Sequence, residues 1–204
     1  MDETAYRYYI INKPYNMVSQ FVSSHPVRLL GDLDFNFPPG THAVGRLDSH
    51  SEGLLILTTN KKITRLLFLG HTPHKRTYLV QVNNLLTTEN LLLLQTGITI
   101  RVKGGKSYTT PPCSVAIIEN PEDLYRGAFN LDKYGKHTWL QITLTEGKFH
   151  QVRKMLGAIH HRCKRLIRIS IEELALGDLA PGEVRELKEK TLFQQLNLGK
   201  SPVH

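Results

Sequence analysis

An aspartate between a polar loop and an apolar run is the feature of this sequence best suited to chemistry. Asp48 lies in a loop bounded by Gly45 and Gly53, and residues 54–57 just after the loop are all apolar. The apolar run predicts a short buried strand, and a loop residue held by a rigid strand is well placed to react. We interpret Asp48 as a candidate nucleophile or base. The same residue can equally be a turn former, because aspartate side chains bond to nearby backbone amides.

A tyrosine on a predicted strand is the second candidate. Alternation along residues 76–82 places Tyr78 on the same face as Val80 and Val82. An aromatic ring with apolar neighbours most often packs in a core and satisfies its hydroxyl there. From this pattern alone, Tyr78 is expected to be a core residue.

An arginine beside an apolar helical stripe is the third candidate. The apolar residues at 152, 155, 156 and 159 are three, four and seven positions apart, which predicts one buried face of a helix over residues 149–160. Arg153 lies beside this stripe. A basic run on a helix is usually a solvated face, and Lys148 and Lys154 fit that interpretation.

The elements that must position these residues alternate irregularly along the chain. Strands are predicted over residues 8–12, 54–57, 76–82, 98–102, 114–119, 138–145 and 165–171. Helices are predicted over residues 60–69, 89–95, 149–160 and 187–196, with at most a short helix near residues 28–33. Asn60 is expected to cap the first long helix and Gly70 to end it. Because few βαβ units are evident, we expect an α+β fold with a mixed, largely antiparallel central sheet and flanking helices.

Length and charge restrict the class of protein. The chain has 204 residues, enough for one domain or for two subdomains that share a core. We expect an N-terminal arm at residues 1–7, a catalytic domain at residues 8–198 and a C-terminal tail at residues 199–204. Basic side chains outnumber acidic ones by 26 to 18, and this net charge of +8 favours an anionic partner such as nucleic acid.

The sequence indicates neither a membrane span nor a metal site. No apolar run approaches the roughly 18 residues of a membrane span, and the N-terminus lacks the order of charges of a secretory signal. We therefore expect a cytoplasmic protein with no membrane partner. Cys113 and Cys163 are isolated in the sequence, which suggests neither a zinc site nor a disulfide.

Several motifs together resemble one enzyme family. The segment GRLDSHSEGLLILTTN around Asp48 resembles the catalytic motif of the pseudouridine synthases, in the branch that modifies ribosomal RNA (RsuA-like). The same family is suggested by NKP at residues 12–14, KRTYLV at residues 75–80, EGKFHQVRKM at residues 146–155 and RLIRISI at residues 165–171. The resemblance covers residues 9–187.

The resemblance implies both a fold and a reaction. The family fold has two subdomains around a central cleft, and its enzymes detach uracil from ribose and rejoin it through carbon. Asp48 would start the reaction, Tyr78 would stack on the base, Arg153 would pair with Asp48, and neither a metal nor a cofactor is needed. The expected substrate-binding residues are Arg46, Leu166, Lys13, Arg76, Gln151 and Arg168. Leu166 would form an apolar floor beneath the base, although an alternating strand also explains it.

Two departures from the family pattern refine the expectation. Glu172 stands where the family usually has glycine, which leaves the local backbone open. Many members begin with a separate small RNA-binding domain, which we expect to be lacking here. Together with Ser19-Gln20-Phe21, this points to the subgroup that acts on large-subunit (23S) ribosomal RNA. We expect the protein to be a monomer.

Other functions remain as alternatives. A metal-dependent nuclease would use Asp48, Glu52 and histidines, but the histidines show no ligand spacing. A phosphate-binding loop fails, because Ile100 and Gln194 occupy the positions of its first glycine. A non-catalytic ribosome assembly factor needs the same positive charge but has no use for Asp48. Reaction on 16S ribosomal RNA or transfer RNA also remains open.

Overall fold

The computed structural model of the chain describes residues 6–68, 73–129 and 135–198. Its strands are β1 (Tyr8–Lys13), β2 (His42–Val44), β3 (Glu52–Thr58), β4 (Arg76–Asn83), β5 (Thr99–Arg101), β6 (Ser107–Thr109), β7 (Ser114–Ile118), β8 (His137–Leu144), β9 (Cys163–Ile171), β10 (Leu174–Ala175) and β11 (Val184–Leu187). Its α-helices are α1 (Ile63–Phe68), α2 (Thr88–Thr96), α3 (Gln151–Ala158) and α4 (Glu189–Gln195). Short 3-10 turns lie at Leu30–Asp32, Lys103–Gly105 and Pro121–Asp123.

The chain divides into two compact units, in agreement with the expectation of two subdomains. The first unit combines residues 1–74 with residues 168–204, and the second unit is residues 75–167. Strand β9 contributes to both, its residues up to Ile167 to the second unit and those from Arg168 to the first.

Strand β1 organises the first unit. It pairs antiparallel with β3 on one side and with β11 on the other, and all six of its residues are buried. Strand β3 also pairs antiparallel with β2. The run of Leu54 to Leu57 is fully buried, as the continuous apolar pattern predicts for a strand covered on both faces. The loop after β2 therefore leads directly into a buried strand of this unit.

The second unit is built on three antiparallel strands. Strand β8 lies between β4 and β7, and a separate hairpin joins β5 to β6. One apolar cluster fills this unit; its members include Val80, Val82, Ile142, Val152, Met155, Leu156, Ile159 and Leu166. The stripe predicted from the spacing of residues 152–159 is thus the buried face of α3. The expected α+β class with mainly antiparallel strands is confirmed.

Differences from the predicted elements are local. Helix α3 begins at Gln151 and not at residue 149, because His150 has a left-handed backbone with φ of +55°. Helix α1 begins at Ile63, and the expected end at Leu69 and Gly70 lies outside the described residues. Asn60 accepts a bond from the backbone nitrogen of Lys62, as a cap would. The sequence pattern did not predict four short strands, β2, β6, β10 and β11. Each has only two to four residues, too few to show alternation.

Glu172 occupies the backbone position that suits the expected glycine. Its φ is +48°, which is the left-handed region. The Glu172 carboxylate lies 3.3 Å from Nδ1 of His74 and accepts a bond from the Asn197 amide at 3.3 Å. These contacts offset part of the strain of a non-glycine residue at this turn.

Among the described residues, no helix is long and apolar enough to cross a membrane. Within the same ranges, no group of three or more histidine, cysteine, aspartate or glutamate side chains is arranged to hold a metal ion. Cys113 and Cys163 are free thiols.

Candidate active site

The backbone on both sides of Asp48 is fixed by hydrogen bonds within the first unit. Asp48 is half-buried in the connection between β2 and β3. The Ser19 hydroxyl accepts a bond from the nitrogen of Leu47 at 3.0 Å and donates one to the oxygen of Leu47 at 2.9 Å. The nitrogen of Ser51 donates to the oxygen of Asp48 at 3.0 Å. The loop therefore presents the carboxylate from a rigid frame, as catalysis requires.

Lys13 supports this loop from beneath. Its side chain is fully buried, and its ammonium donates to the carbonyl oxygens of Met17 at 2.6 Å, Pro14 at 2.8 Å and Ser49 at 3.4 Å. Burial lowers the pKa of Lys13 to about 8, although the nearby carboxylates of Glu52 and Asp48 act in the opposite direction. These bonds hold the ammonium of Lys13 inside the unit, and its contact with substrate stays a prediction.

Arg168 and Gly53 make a second support at the far end of the loop. The Nε of Arg168 donates to the oxygen of Leu54 at 2.8 Å, and only 3% of this residue is exposed. Gly53 has φ of +100°, and a Cβ placed there would lie 2.3 Å from the backbone oxygen of Arg168. Only glycine fits such a close approach. Arg168, expected to bind substrate, is thus also a buried support, whereas Arg46 is exposed on the loop.

Tyr78 lies in the second unit at the edge of its apolar cluster. It faces Ile142 across the β4–β8 pair and is half-buried. It packs against the cluster that contains Val80 and Val82, as the alternation predicts. Leu166 belongs to the same cluster and is 6% exposed. The tyrosine is therefore partly core and partly accessible, which a base-stacking role would require.

The connection between β8 and α3 is held by a network around Glu146. The Gln151 amide donates to the Glu146 carboxylate at 2.6 Å, and its oxygen accepts from the nitrogen of Lys148 at 2.8 Å. The Tyr108 hydroxyl donates to the other carboxylate oxygen of Glu146. Gln151 is 4% exposed. Its polar atoms shape this connection, and its contact with substrate stays a prediction.

Arg76 fixes the same connection from strand β4. Its guanidinium donates to the oxygen of Thr145 at 3.1 Å, and a Cβ added to Gly147 would lie 2.9 Å from Arg76 Nη1. Arg76 is half-buried and retains exposed surface. The sequence predicts Arg76 only as a substrate contact and does not reveal this structural role. Nor does the sequence reveal the bond between Glu146 and Tyr108, because these residues are distant from each other in sequence.

Arg153 lies on the first turns of α3 and is half-buried. A depression of about 460 Å³ is lined by Arg153, Gly157, His160, His161, Arg162 and Cys163. Burial raises the pKa of the Cys163 thiol to about 11, while the positive charge of Arg153 acts in the opposite direction. This thiol is consequently protonated at neutral pH and poorly nucleophilic.

The expected site residues fall into two groups, one in each unit. The first unit holds Lys13, Arg46, Asp48 and Arg168. The second unit holds Arg76, Tyr78, Gln151, Arg153 and Leu166. In the first unit, buried side chains bond to the backbone of the Asp48 loop. In the second unit, the buried side chain of Gln151 bonds to Glu146 in the connection between β8 and α3. Each unit therefore contains one ordered loop.

Comparison with known proteins identifies the class. A sequence profile of the RNA pseudouridylate synthase family matches residues 7–158. This chain belongs to that family, which confirms the resemblance drawn from the motifs.

Individual members of this family are similar to the chain over most of its length. The protein named ribosomal large subunit pseudouridine synthase E in Xanthomonas axonopodis pv. citri is 34% identical over 84% of this chain and 89% of its own length. The protein of the same name in Vibrio vulnificus is 35% identical over 87% of this chain and 74% of its own length. A crystal structure of a pseudouridylate synthase superposes with a TM-score of 0.74 over 94% of this chain and 74% of the other, at 24% identity. This last likeness establishes the fold.

Proposed function

We propose that this protein converts one uridine of large-subunit (23S) ribosomal RNA into pseudouridine. Family membership supports the reaction, and the names of the relatives from Xanthomonas and Vibrio support the large ribosomal subunit as the source of the RNA. The observation that carries the assignment of Asp48 is its rigid loop. Backbone bonds fix the residues on both sides, and buried Lys13 bonds to the next carbonyl.

Asp48 starts the reaction in this proposal. Its carboxylate either attacks the anomeric carbon of the ribose or removes the 2′ proton to give a glycal, and in both routes the bond between uracil nitrogen and ribose breaks. The base turns and forms a carbon–carbon bond in its place, so nothing is oxidised or hydrolysed. The detached base supplies its own nucleophilic carbon while the site holds it close.

Tyr78 and Arg153 have supporting roles in the same proposal. Enzymes that act on a base extrude it from its stack at a cost of a few kcal/mol. Stacking on the accessible part of Tyr78 offsets some of this cost, since an aromatic contact with a base contributes about 1–3 kcal/mol. Arg153 contributes the permanent positive charge of its guanidinium to the same reaction.

Mapping of pseudouridine by carbodiimide chemistry tests this function. Large-subunit and small-subunit ribosomal RNA and transfer RNA, all free of modification, are each incubated with the wild-type protein and with Asp48→Asn. We expect one new carbodiimide stop, in the large-subunit RNA, with the wild-type protein only. A stop in small-subunit or transfer RNA would overturn the assignment of substrate. Tight binding of ribosomal RNA without any new stop would favour a non-catalytic assembly factor.

A further inference from the structure

Phe149 is an exposed aromatic ring on the connection that precedes α3. Its exposed fraction is 71%, and its ring stacks on that of His150 with the centroids 3.9 Å apart and the planes 17° apart. His150 is exposed as well. Leaving a large apolar ring in water forfeits the free energy of burying it. A partner that covers the ring would recover this free energy.

The backbone at this point holds the two rings in a strained arrangement. His150 has φ of +55° in the left-handed region, although it is not glycine. Such a conformation costs on the order of 1 kcal/mol for a residue with a side chain. The bonds of Gln151 to Glu146 and to the nitrogen of Lys148 fix the connection on both sides of the stack. The backbone that carries the two rings is therefore fixed before a ligand arrives.

Ammonium groups lie over two aromatic rings of this region, one of them in the stack. The Nζ of Lys154 lies over the Phe149 ring, 5.4 Å from its centroid. The Nζ of Lys148 lies 4.8 Å from the centroid of the Tyr108 ring, over its face. Aromatic rings combined with adjacent cations form the usual surface for single-stranded nucleic acid, because bases stack on the rings while the cations meet phosphates.

We propose that the Phe149–His150 stack binds an unpaired nucleotide of the substrate RNA that neighbours the target uridine. The nucleobase adds to the stack as a further ring, and the ammonium of Lys154 meets a phosphate of the same strand. This inference rests on the proposed function, because it presumes an RNA substrate, and it adds a binding site for a second nucleotide. The net charge of +8 favours a polyanion over an apolar protein partner at this surface.

Lys154 differs from the solvated lysine that the sequence pattern predicts. Exposed lysines on a helix are usually only solvated. Here Lys154 is held over an aromatic ring, which orders its ammonium at one place on the surface. An ordered cation loses less conformational entropy when a phosphate binds it.

Substitution of Phe149 combined with substitution in the RNA tests the proposal. The RNA is a large-subunit fragment that contains the mapped uridine, prepared in full and with an abasic site at each neighbouring position in turn. We expect Phe149→Ala to raise the KM about fivefold to a hundredfold, the range that corresponds to loss of one base stack. Its kcat should stay near the wild-type value, and Phe149→Tyr should retain the wild-type KM.

One abasic position should weaken binding by the wild-type protein but leave binding by Phe149→Ala unchanged. Such coupling identifies the nucleotide that stacks. Leu92→Ala is the matched control, because Leu92 is an exposed apolar residue of the same unit, 57% exposed on α2. It should leave KM and kcat unaltered, and the melting temperatures of all variants should agree.

An equal KM for Phe149→Ala and the wild-type protein would overturn the proposal, and so would equal sensitivity of both proteins to every abasic site. Either result leaves the proposed function standing if the wild-type protein still forms pseudouridine. Failure of the proposed function is recognised separately, by the absence of pseudouridine with the wild-type protein.

Discussion

The hydroxyl of Ser19 bonds to both backbone groups of Leu47, the residue immediately before Asp48. The two distances are 3.0 Å from the nitrogen and 2.9 Å to the oxygen, and Ser19 is only 6% exposed. One side chain therefore satisfies a buried amide and a buried carbonyl at the base of the loop. Ser19 is a positioning residue in the proposed mechanism, because it acts on Asp48 through the backbone.

Replacement of Ser19 by alanine should loosen the loop. We expect kcat to fall about tenfold to a hundredfold, because small displacements of a reacting group cost rate on this scale. The free energy of unfolding should fall by about 1–3 kcal/mol, since two buried backbone groups lose their partner. Single-turnover kinetics and chemical denaturation measure the two effects. Ser24→Ala, at an exposed serine of the same unit, should change neither; a fully active Ser19→Ala would exclude the positioning role.

Asp48→Asn should abolish pseudouridine formation while the fold is retained. Asparagine keeps the shape of aspartate but cannot act as a nucleophile or base. We expect an unchanged melting temperature and nearly unchanged affinity for RNA. Asp34→Asn is the control, because Asp34 is an exposed carboxylate of the same unit. Turnover within about tenfold of the wild-type rate would remove Asp48 from the catalytic role, because a general base contributes more than that.

Gly53→Ala should be far more damaging than Gly40→Ala. Both glycines have positive φ, +100° and +83°, but a Cβ on Gly53 would lie 2.3 Å from the Arg168 oxygen whereas one on Gly40 meets nothing within 4 Å. Backbone strain alone costs about 1–2 kcal/mol, which is the loss expected for Gly40→Ala. The clash should add at least about 2 kcal/mol for Gly53→Ala. Equal unfolding free energies for the two variants would contradict the close approach of the two backbones.

Glu172→Gly should be more stable than Glu172→Ala by about 1 kcal/mol, because only glycine relieves the left-handed backbone. Both substitutions remove the carboxylate, and with it the interactions with His74 and Asn197, so these cancel in the comparison. Chemical denaturation of the two variants under one set of conditions measures the difference directly. An alanine variant as stable as the glycine variant would show that the backbone at residue 172 is not left-handed in solution.

Lys13 should give the wild-type protein a specific dependence of stability on pH. Its pKa is lowered to about 8 from its ordinary value of 10.5. Below pH 8 the amine is protonated in both states, whereas between about pH 8 and 10.5 only the unfolded chain keeps the proton. Stability therefore rises with pH in this window, by at most about 1.4 kcal/mol per pH unit. The unfolding free energy of the wild-type protein relative to Lys13→Met should increase between pH 7.5 and 9.5; a constant difference would argue against the lowered pKa.

The sequence predicted the long elements and the family, but it did not predict the structural bonds of several polar residues. Strand β3 and the buried face of α3 follow from apolar runs and spacing, which are local signals. Lys13 and Arg168 were expected only as substrate contacts. Their burial depends on contacts with Met17 and Leu54, and for Arg168 the partner is more than a hundred residues away. Composition and periodicity contain no such information.

The candidate site shows the same division between local and distant signals. Asp48 and Tyr78 are recognisable from motifs, since each lies in a short segment of fixed spacing. The network of Glu146, Gln151 and Tyr108 joins a helix, a loop and a hairpin strand, and no single segment reveals it. The family pattern left the backbone at Glu172 open, and neither its left-handed conformation nor its contact with His74 was predicted.

The first unit is built from two segments that are far apart in the chain. This arrangement determines when the unit can complete its fold during synthesis. A ribosome builds residues 1–74 first, then the whole second unit, and only afterwards the residues from Arg168 onward. Strand β1 must wait for β11, whose Leu187 pairs with Tyr8, and the loop of Asp48 must wait for the bond from Arg168 to Leu54. A nascent chain interrupted before residue 168 already contains Asp48, Tyr78 and Arg153 yet lacks this support of the Asp48 loop. The loop of Asp48 therefore gains its last support only after the entire second unit has been made.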